Sequence, residues 1–376
     1  MRIIINLLPI TSGGGLQVCL TFVKGISKMP GEDYFFVLAK DGNEIADWLR
    51  SQDDLPYKIV PNNNFKRLKF ELFELNRLIA AKQIDILYIF FGTLFRKPSV
   101  KLVMGCAYSN LFYPKIDFWR VGPVKKRIKK VVDWLRLKSY QKADLVIFEN
   151  QGLAQKAYAD FDFQNVKVLL PSIAISSDPV SKNGTAQLAS ISNDRFNLIM
   201  LSGWHVNKNI DKLVSVARIL KEADEELIVF NLSLSPGNPD VDNFIEQIKS
   251  ENLLAYFNFL GRVSPTDVRY IVEKNDAVLL ISTLESFSNN IIESWAYQKP
   301  LIITDAEWSR GACQTAACYV DITDPGKIVE GILSISKSKE HRTRLIETGL
   351  TRLKEFPSPP EKVEQHLAML KEVYEA

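Results

Sequence analysis

The chain is expected to adopt an α/β fold of two doubly wound domains facing each other across a cleft. Three observations lead there. Short β-branched runs alternate with helical patterns of about 10–15 residues nearly throughout, which marks βαβ units and parallel sheets. A length of 376 residues suits two domains of ordinary size. Between two series of strand candidates lies 171–185, a polar stretch with prolines and a glycine.

The first series of strand candidates comprises 2–8, 34–39, 57–60, 85–91, 100–105, 144–149 and 166–170. The second comprises 196–202, 226–232, 257–260, 276–282, 301–304 and 318–321. Most are short apolar runs bounded by polar or turn-forming residues, as strands covered on both faces require. Domains are placed at 1–175 and 191–355, with a linker at 176–190. Pro357-Ser358-Pro359-Pro360 breaks the chain, and a helix over 361–375 fills the terminal segment 356–376.

With 46% apolar and 24% charged residues, the chain buries two substantial cores and is not globally disordered. A net charge of +3 does not favour nucleic acid as a partner. Cys19, Cys106, Cys313 and Cys318 form no C-x-x-C pair and only three histidines are present, so neither zinc nor a disulfide framework is expected. Cys19 and Cys106 read as core thiols. The apolar run at the N-terminus is too short for a signal peptide and none elsewhere is long enough to span a membrane; a reducing, cytoplasmic setting is expected.

Glu285 and Glu293 lie eight residues apart across the joint between an apolar strand and a helix beginning near Asn290. Ligands of open α/β sheets bind outside the carboxyl ends of strands, where helix N-termini present N–H groups to anions. Two carboxylates there match a ligand with hydroxyls and a phosphate. A structural alternative stands beside this: Asn290 as N-cap, Glu293 reaching back in a capping box, and Glu285 as a solvated loop residue.

Four landmarks in order then carry a resemblance. They are the Glu285/Glu293 pair with Lys299-Pro-Leu-Ile-Ile-Thr-Asp305 after its helix, Phe259-Leu-Gly-Arg-Val-Ser264, Gly203-Trp-His-Val-Asn-Lys208, and Gly13-Gly14-Gly15 after the first strand. The chain resembles the family 4 glycosyltransferases, retaining sugar transferases with the GT-B fold, over nearly its whole length.

The resemblance implies a nucleotide-diphosphate sugar donor, UDP- or GDP-linked, with no obligatory metal or other cofactor. It implies that the first domain holds the acceptor, the second the donor, and that the tail helix returns to the first domain. Lys208 would compensate diphosphate charge, and the 286–290 turn (Ser286, Phe287, Ser288, Asn289, Asn290) would offer donors, with Gly203 and His205 alongside. Gly14 and Gly15 would permit close approach of the first helix. Glu293 would accept from the ribose hydroxyls, and Glu285 would bind the donor sugar and stabilise positive charge at its anomeric carbon. The chain departs from the family in two places. An arginine usual before the lysine is missing, with Arg262 a candidate substitute, and a usual histidine is replaced by Tyr108, Ser109 and Asn110 as acceptor-binding candidates. His205 is not assigned as a base, and His341 and His366 read as surface residues.

Asp240-Val-Asp242 has the form of a D-x-D metal motif but opens a helix, where acidic residues are expected anyway. Segment 120–142 carries nine basic residues against Asp133 alone, with Val124, Ile128, Val131, Val132, Leu135 and Tyr140 near helical spacing. This helix meets an anionic membrane, making the protein peripheral to the inner face of the cytoplasmic membrane with a lipid-linked acceptor, or packs its apolar stripe on the first sheet, or does both with separate faces. The expected activity is retaining transfer of a hexose to a glycan or lipid-linked acceptor, in bacterial polysaccharide or lipopolysaccharide synthesis. A nucleotide-sugar epimerase or phosphorylase-like enzyme on the same fold, and a non-catalytic partner subunit, are the alternatives.

Overall fold

Two all-parallel sheets organise the chain, each in its own unit. A computed structural model describes residues 1–11, 13–29, 31, 33–172 and 178–376. The first unit comprises Met1–Asp117, Val121–Ala174 and Pro357–Ala376; the second comprises Phe118–Arg120 and Ile175–Phe356.

In the first unit the strands are β1 (Arg2–Asn6), β2 (Tyr34–Lys40), β3 (Tyr57–Val60), β4 (Ile86–Ile89), β5 (Lys101–Cys106), β6 (Leu145–Phe148) and β7 (Val166–Val168). Their order is β3-β2-β1-β4-β5-β6-β7. Because successive strand residues point to opposite faces, Ile3 and Ile5 enter one buried layer with Val37 and Tyr88, while Ile4 enters the other with Leu38, Leu87 and Met104. Helices cover both faces, which is why these strands read as unbroken apolar runs rather than alternating ones. Gly105 in β5 is obligatory: a Cβ there would lie 1.8 Å from the Phe90 carbonyl oxygen.

The second unit contains β8 (Phe196–Met200), β9 (Ile228–Leu232), β10 (Phe257–Phe259), β11 (Ala277–Leu280), β12 (Leu301–Thr304) and β13 (Cys318–Val320). Their order is β10-β9-β8-β11-β12-β13, so the winding reverses between β8 and β11. Leu198, Phe230, Leu279, Ile302, Ile328 and Ile332 centre its core. All thirteen expected strand runs are present, most of them trimmed at their ends.

The linker expectation is modified. Residues 176–177 lie outside the described residues, and Lys182–Ala189 is a helix. Its N-cap Ser181 donates from its backbone N–H to Asp267 Oδ1 (2.8 Å) and from its hydroxyl to Oδ2 (2.6 Å), which fixes the helix to the second unit. A fully buried carboxylate so satisfied is an anchor that no flexible connector carries.

The tail helix Pro359–Glu375 belongs to the first unit, opened by a reciprocal Ser358/Glu361 capping box. Val363, Leu367 and Leu370 enter the first core. His366 follows Val363 by three residues and so shares that stripe. It is 3% exposed, with its Nδ1 3.0 Å from the Tyr88 hydroxyl, which corrects its expected place on the surface. Burial, assisted by the nearby Lys362 charge, holds the imidazole well below its usual pKa. Lys362 itself donates to Glu149 Oε1 at 2.5 Å, with both side chains largely withdrawn from water.

Candidate donor-binding site

The loop after β8 carries Lys208, and the loop after β11 carries Glu285. Because β8 and β11 are neighbours at the reversal of winding, both loops emerge at the same carboxyl edge of the second sheet. Lys208 Nζ donates to Glu285 Oε1 at 2.5 Å, both side chains keeping a little solvent exposure.

That meeting is held by two asparagines beside the lysine. Asn207 donates from its amide to the Leu284 carbonyl (2.7 Å) and accepts from the Leu284 N–H (3.1 Å), while its own carbonyl accepts from the Thr283 N–H (2.8 Å). Asn209 is fully buried in a left-handed conformation (φ 55°) and donates to the Ile281 carbonyl (2.7 Å) and Thr283 Oγ1 (2.9 Å). Asparagine tolerates that backbone better than most residues. From the other side, Trp308 Nε1 donates to the Thr283 carbonyl (3.1 Å) and Thr304 Oγ1 to the Ser282 carbonyl (2.8 Å). Sequence reading missed these four positioning residues. The only signal was the asparagine on each side of Lys208.

Helix Asn289–Ala296 begins one residue earlier than expected, with Ser288 as its N-cap residue. Asn290 therefore lies inside the first turn, and its amide donates to the Leu201 carbonyl at 2.9 Å, beyond the end of β8. The expected Asn290/Glu293 capping box does not form. Among the described residues Glu293 has no side-chain hydrogen-bond partner. Its half-buried carboxyl is pushed up to about 7 by the loss of hydration. Phe287 turns to packing, its ring 5.8 Å from that of Phe356. Ser286 and Asn289 remain half-buried in the turn.

Gly203 and His205 lie exposed in the lysine loop. His205 Nδ1 accepts from the Asn207 N–H at 3.1 Å, and the rings of Phe118 and Trp119 lie 5.7 and 6.3 Å from it. Arg120 donates to Asn209 Oδ1 and pairs with Asp211 at 3.7 Å, so Phe118–Arg120 braces the same loop. Arg262 follows β10 at the same edge of the sheet, exposed and without an ion-pair partner among the described residues. β10 is two strands from β8, about 10 Å away at ordinary strand spacing. Asp240 and Asp242 lie in the first turn of Pro239–Ser250, where Asp242 accepts from the Gly237 N–H at 3.0 Å.

The remaining sequence candidates lie in the first unit. Gly13 takes φ 76° just before helix Gly14–Ile26; Gly14 opens the helix, and a Cβ at Gly15 would meet only the Phe91 ring at an ordinary 3.8 Å. Tyr108 lies under the Arg136 guanidinium (4.4 Å), Ser109 is buried, and Asn110 donates to Asp133 (2.9 Å). These three are engaged with helix Pro123–Tyr140 or the core.

Residues 189–352, which hold the whole Lys208–Glu285–Glu293 arrangement, match the family model for glycosyl transferases, group 1. The likeness to that family is carried by this part of the chain. No curated protein sequence matches the chain. Among solved structures, Anabaena Alr3699/HepE in complex with UDP and glucose is similar at a TM-score of 0.71 and 16% identity, covering 99% of this chain and 100% of its own. Sucrose-phosphate synthase from Thermosynechococcus elongatus gives 0.77 and 11%, covering 100% and 99%. WaaG, a glycosyltransferase involved in lipopolysaccharide biosynthesis, gives 0.72 and 10%, covering 97% and 98%. The fold of the chain is therefore GT-B.

Proposed function

We propose that the protein is a retaining glycosyltransferase that moves a sugar from a nucleotide diphosphate to a glycan or lipid-linked acceptor. The carrying observation is the Lys208–Glu285 contact, assembled by buried asparagines at the reversal point of the second sheet. Structures with this fold that hold UDP and glucose, such as HepE, support the class of donor. In this reading Lys208 neutralises the diphosphate, the first turn of Asn289–Ala296 adds N–H donors, and Glu293 accepts from the ribose hydroxyls. Glu285, released from the lysine when the diphosphate arrives, binds the sugar and stabilises positive charge developing at the anomeric carbon.

The first unit would take the acceptor, and the likeness to WaaG supports a surface polysaccharide or lipopolysaccharide as the product. Isothermal titration with UDP, GDP and their sugars tests the donor. Product anomer analysis by NMR tests retention: an inverted anomeric centre refutes the retaining assignment, and binding of neither nucleotide refutes the site.

A further inference from the structure

Helix Pro123–Tyr140 presents its apolar stripe away from the unit it is attached to. At about 100° per residue, Asp133, Arg136, Leu137 and Tyr140 lie on one pole. That pole packs: Asp133 accepts from Asn110, Arg136 covers Tyr108, Leu137 meets the core, and the Tyr140 hydroxyl donates to the Gly105 carbonyl at 3.2 Å. Val124, Ile128, Val131 and Leu135 fall within an arc of about 60° on the opposite pole. All four, with Trp134, are between 55% and 70% exposed. Of the apolar residues read along this helix, Tyr140 packs in the core of the first unit, whereas Val124, Ile128, Val131 and Leu135 face solvent.

Lys125, Arg127, Lys130 and Lys138 are exposed around the stripe and have no carboxylate partner among the described residues. A second apolar point adjoins it. Ser139 Oγ donates to the Leu94 carbonyl (2.9 Å) and accepts from the Leu94 N–H (3.3 Å), tying the flank of the helix to the loop that exposes Phe95, Arg96 and Lys97.

We propose that the first unit docks on an anionic lipid bilayer by laying the Val124–Ile128–Val131–Leu135 stripe, with Phe95 beside it, into the headgroup region. Aliphatic side chains ringed by unpaired cations match a surface that is apolar beneath and negative at its rim. A second copy of the chain fits poorly, since a two-fold contact through this face would set the same cations against each other. The proposal does not depend on the transfer reaction.

Cosedimentation of the full chain with vesicles of phosphatidylcholine, alone or with roughly one-third phosphatidylglycerol, tests it. Binding is expected only to the anionic vesicles and weakens with salt. Ile128→Ser/Leu135→Ser lowers partitioning by about tenfold or more, Phe95→Ser by less, and Lys125→Glu/Arg127→Glu removes the lipid preference. Circular dichroism and UDP affinity of the variants stay as in the parent. Equal binding to both vesicles, binding to neither, or an unaffected Ile128→Ser/Leu135→Ser double variant overturns the proposal. So does a dimer in solution that this double variant abolishes.

Discussion

Lys208 and Glu285, 77 positions apart in sequence, meet at 2.5 Å because each belongs to a loop at the end of one of two adjacent strands. The pair satisfies two charges that would otherwise repel ligands of their own sign. In the proposed function a diphosphate arriving at Lys208 would free the carboxylate for the sugar, so that the resting contact and the working state would be alternatives.

Glu285→Gln keeps the shape of the loop while removing the charge. Transfer, or donor hydrolysis without acceptor, is expected to fall by about 10²–10³-fold, with the melting temperature nearly unchanged. Turnover at the parental rate would reject the electrostatic role of Glu285.

Lys208→Ala removes the compact cation and leaves Glu285 free to repel phosphate. Affinity for UDP or GDP measured by calorimetry should drop by about 10–100-fold, equivalent to roughly 1.5–3 kcal/mol. A dissociation constant matching the parent would place the diphosphate elsewhere.

Asn209→Ala loses the bonds to the Ile281 carbonyl and Thr283 Oγ1 together with the acceptor for Arg120, and leaves alanine in the left-handed region. A destabilisation of about 2–4 kcal/mol is expected in denaturant unfolding of the second unit, with nucleotide affinity impaired because the lysine loop loses its anchor. Asn209→Gly, which relieves the backbone cost alone, should recover about 1 kcal/mol of it. No difference between the two variants would mean that the backbone conformation contributes nothing.

Glu293 sets a pH dependence. Its carboxyl titrates near 7 in the folded protein against 4.5 ordinarily, because burial disfavours the charge. The folded state binds the proton more tightly, so this group costs nothing below about pH 4.5 and its full penalty applies above about pH 7. Glu293→Gln is therefore expected to stabilise the protein by about 3 kcal/mol at alkaline pH and to change little in acid. If the ionised form accepts from ribose hydroxyls, parental UDP affinity rises between about pH 6 and 8, and the glutamine variant loses that rise. A flat profile in both proteins would detach Glu293 from the ligand.

Lys362→Met strands Glu149 in a largely dry position. A loss of about 3–5 kcal/mol is expected for the first unit, read by thermal unfolding, while Lys362→Met/Glu149→Leu should be close to neutral. Equal losses in single and double variants would show that packing, not charge, dominates there.

The strands were legible because parallel sheets covered on both faces leave apolar runs that need no partner to be recognised. Lys208 and Glu285 could be singled out because each lies in a loop that follows such a run. Asn207 and Asn209 were not, since their value lies in carbonyls and amides more than 70 positions away, which no local spacing reports. Asn290 was misassigned as a cap because its cap-like chemistry serves instead to hold Leu201. His366 was taken for a surface residue because its neighbours Glu364 and Gln365 are polar. Its exposure follows Val363 and Leu367 on the helical stripe rather than those neighbours.

The return of the tail helix to the first core has a consequence for biosynthesis. Val363, Leu367 and Leu370 follow the whole second unit in the sequence, yet they complete the core to which β1 belongs. Until they have been synthesised, the apolar groove they fill stays open. A premature stop between Phe356 and Val363 would therefore injure the first unit rather than the second.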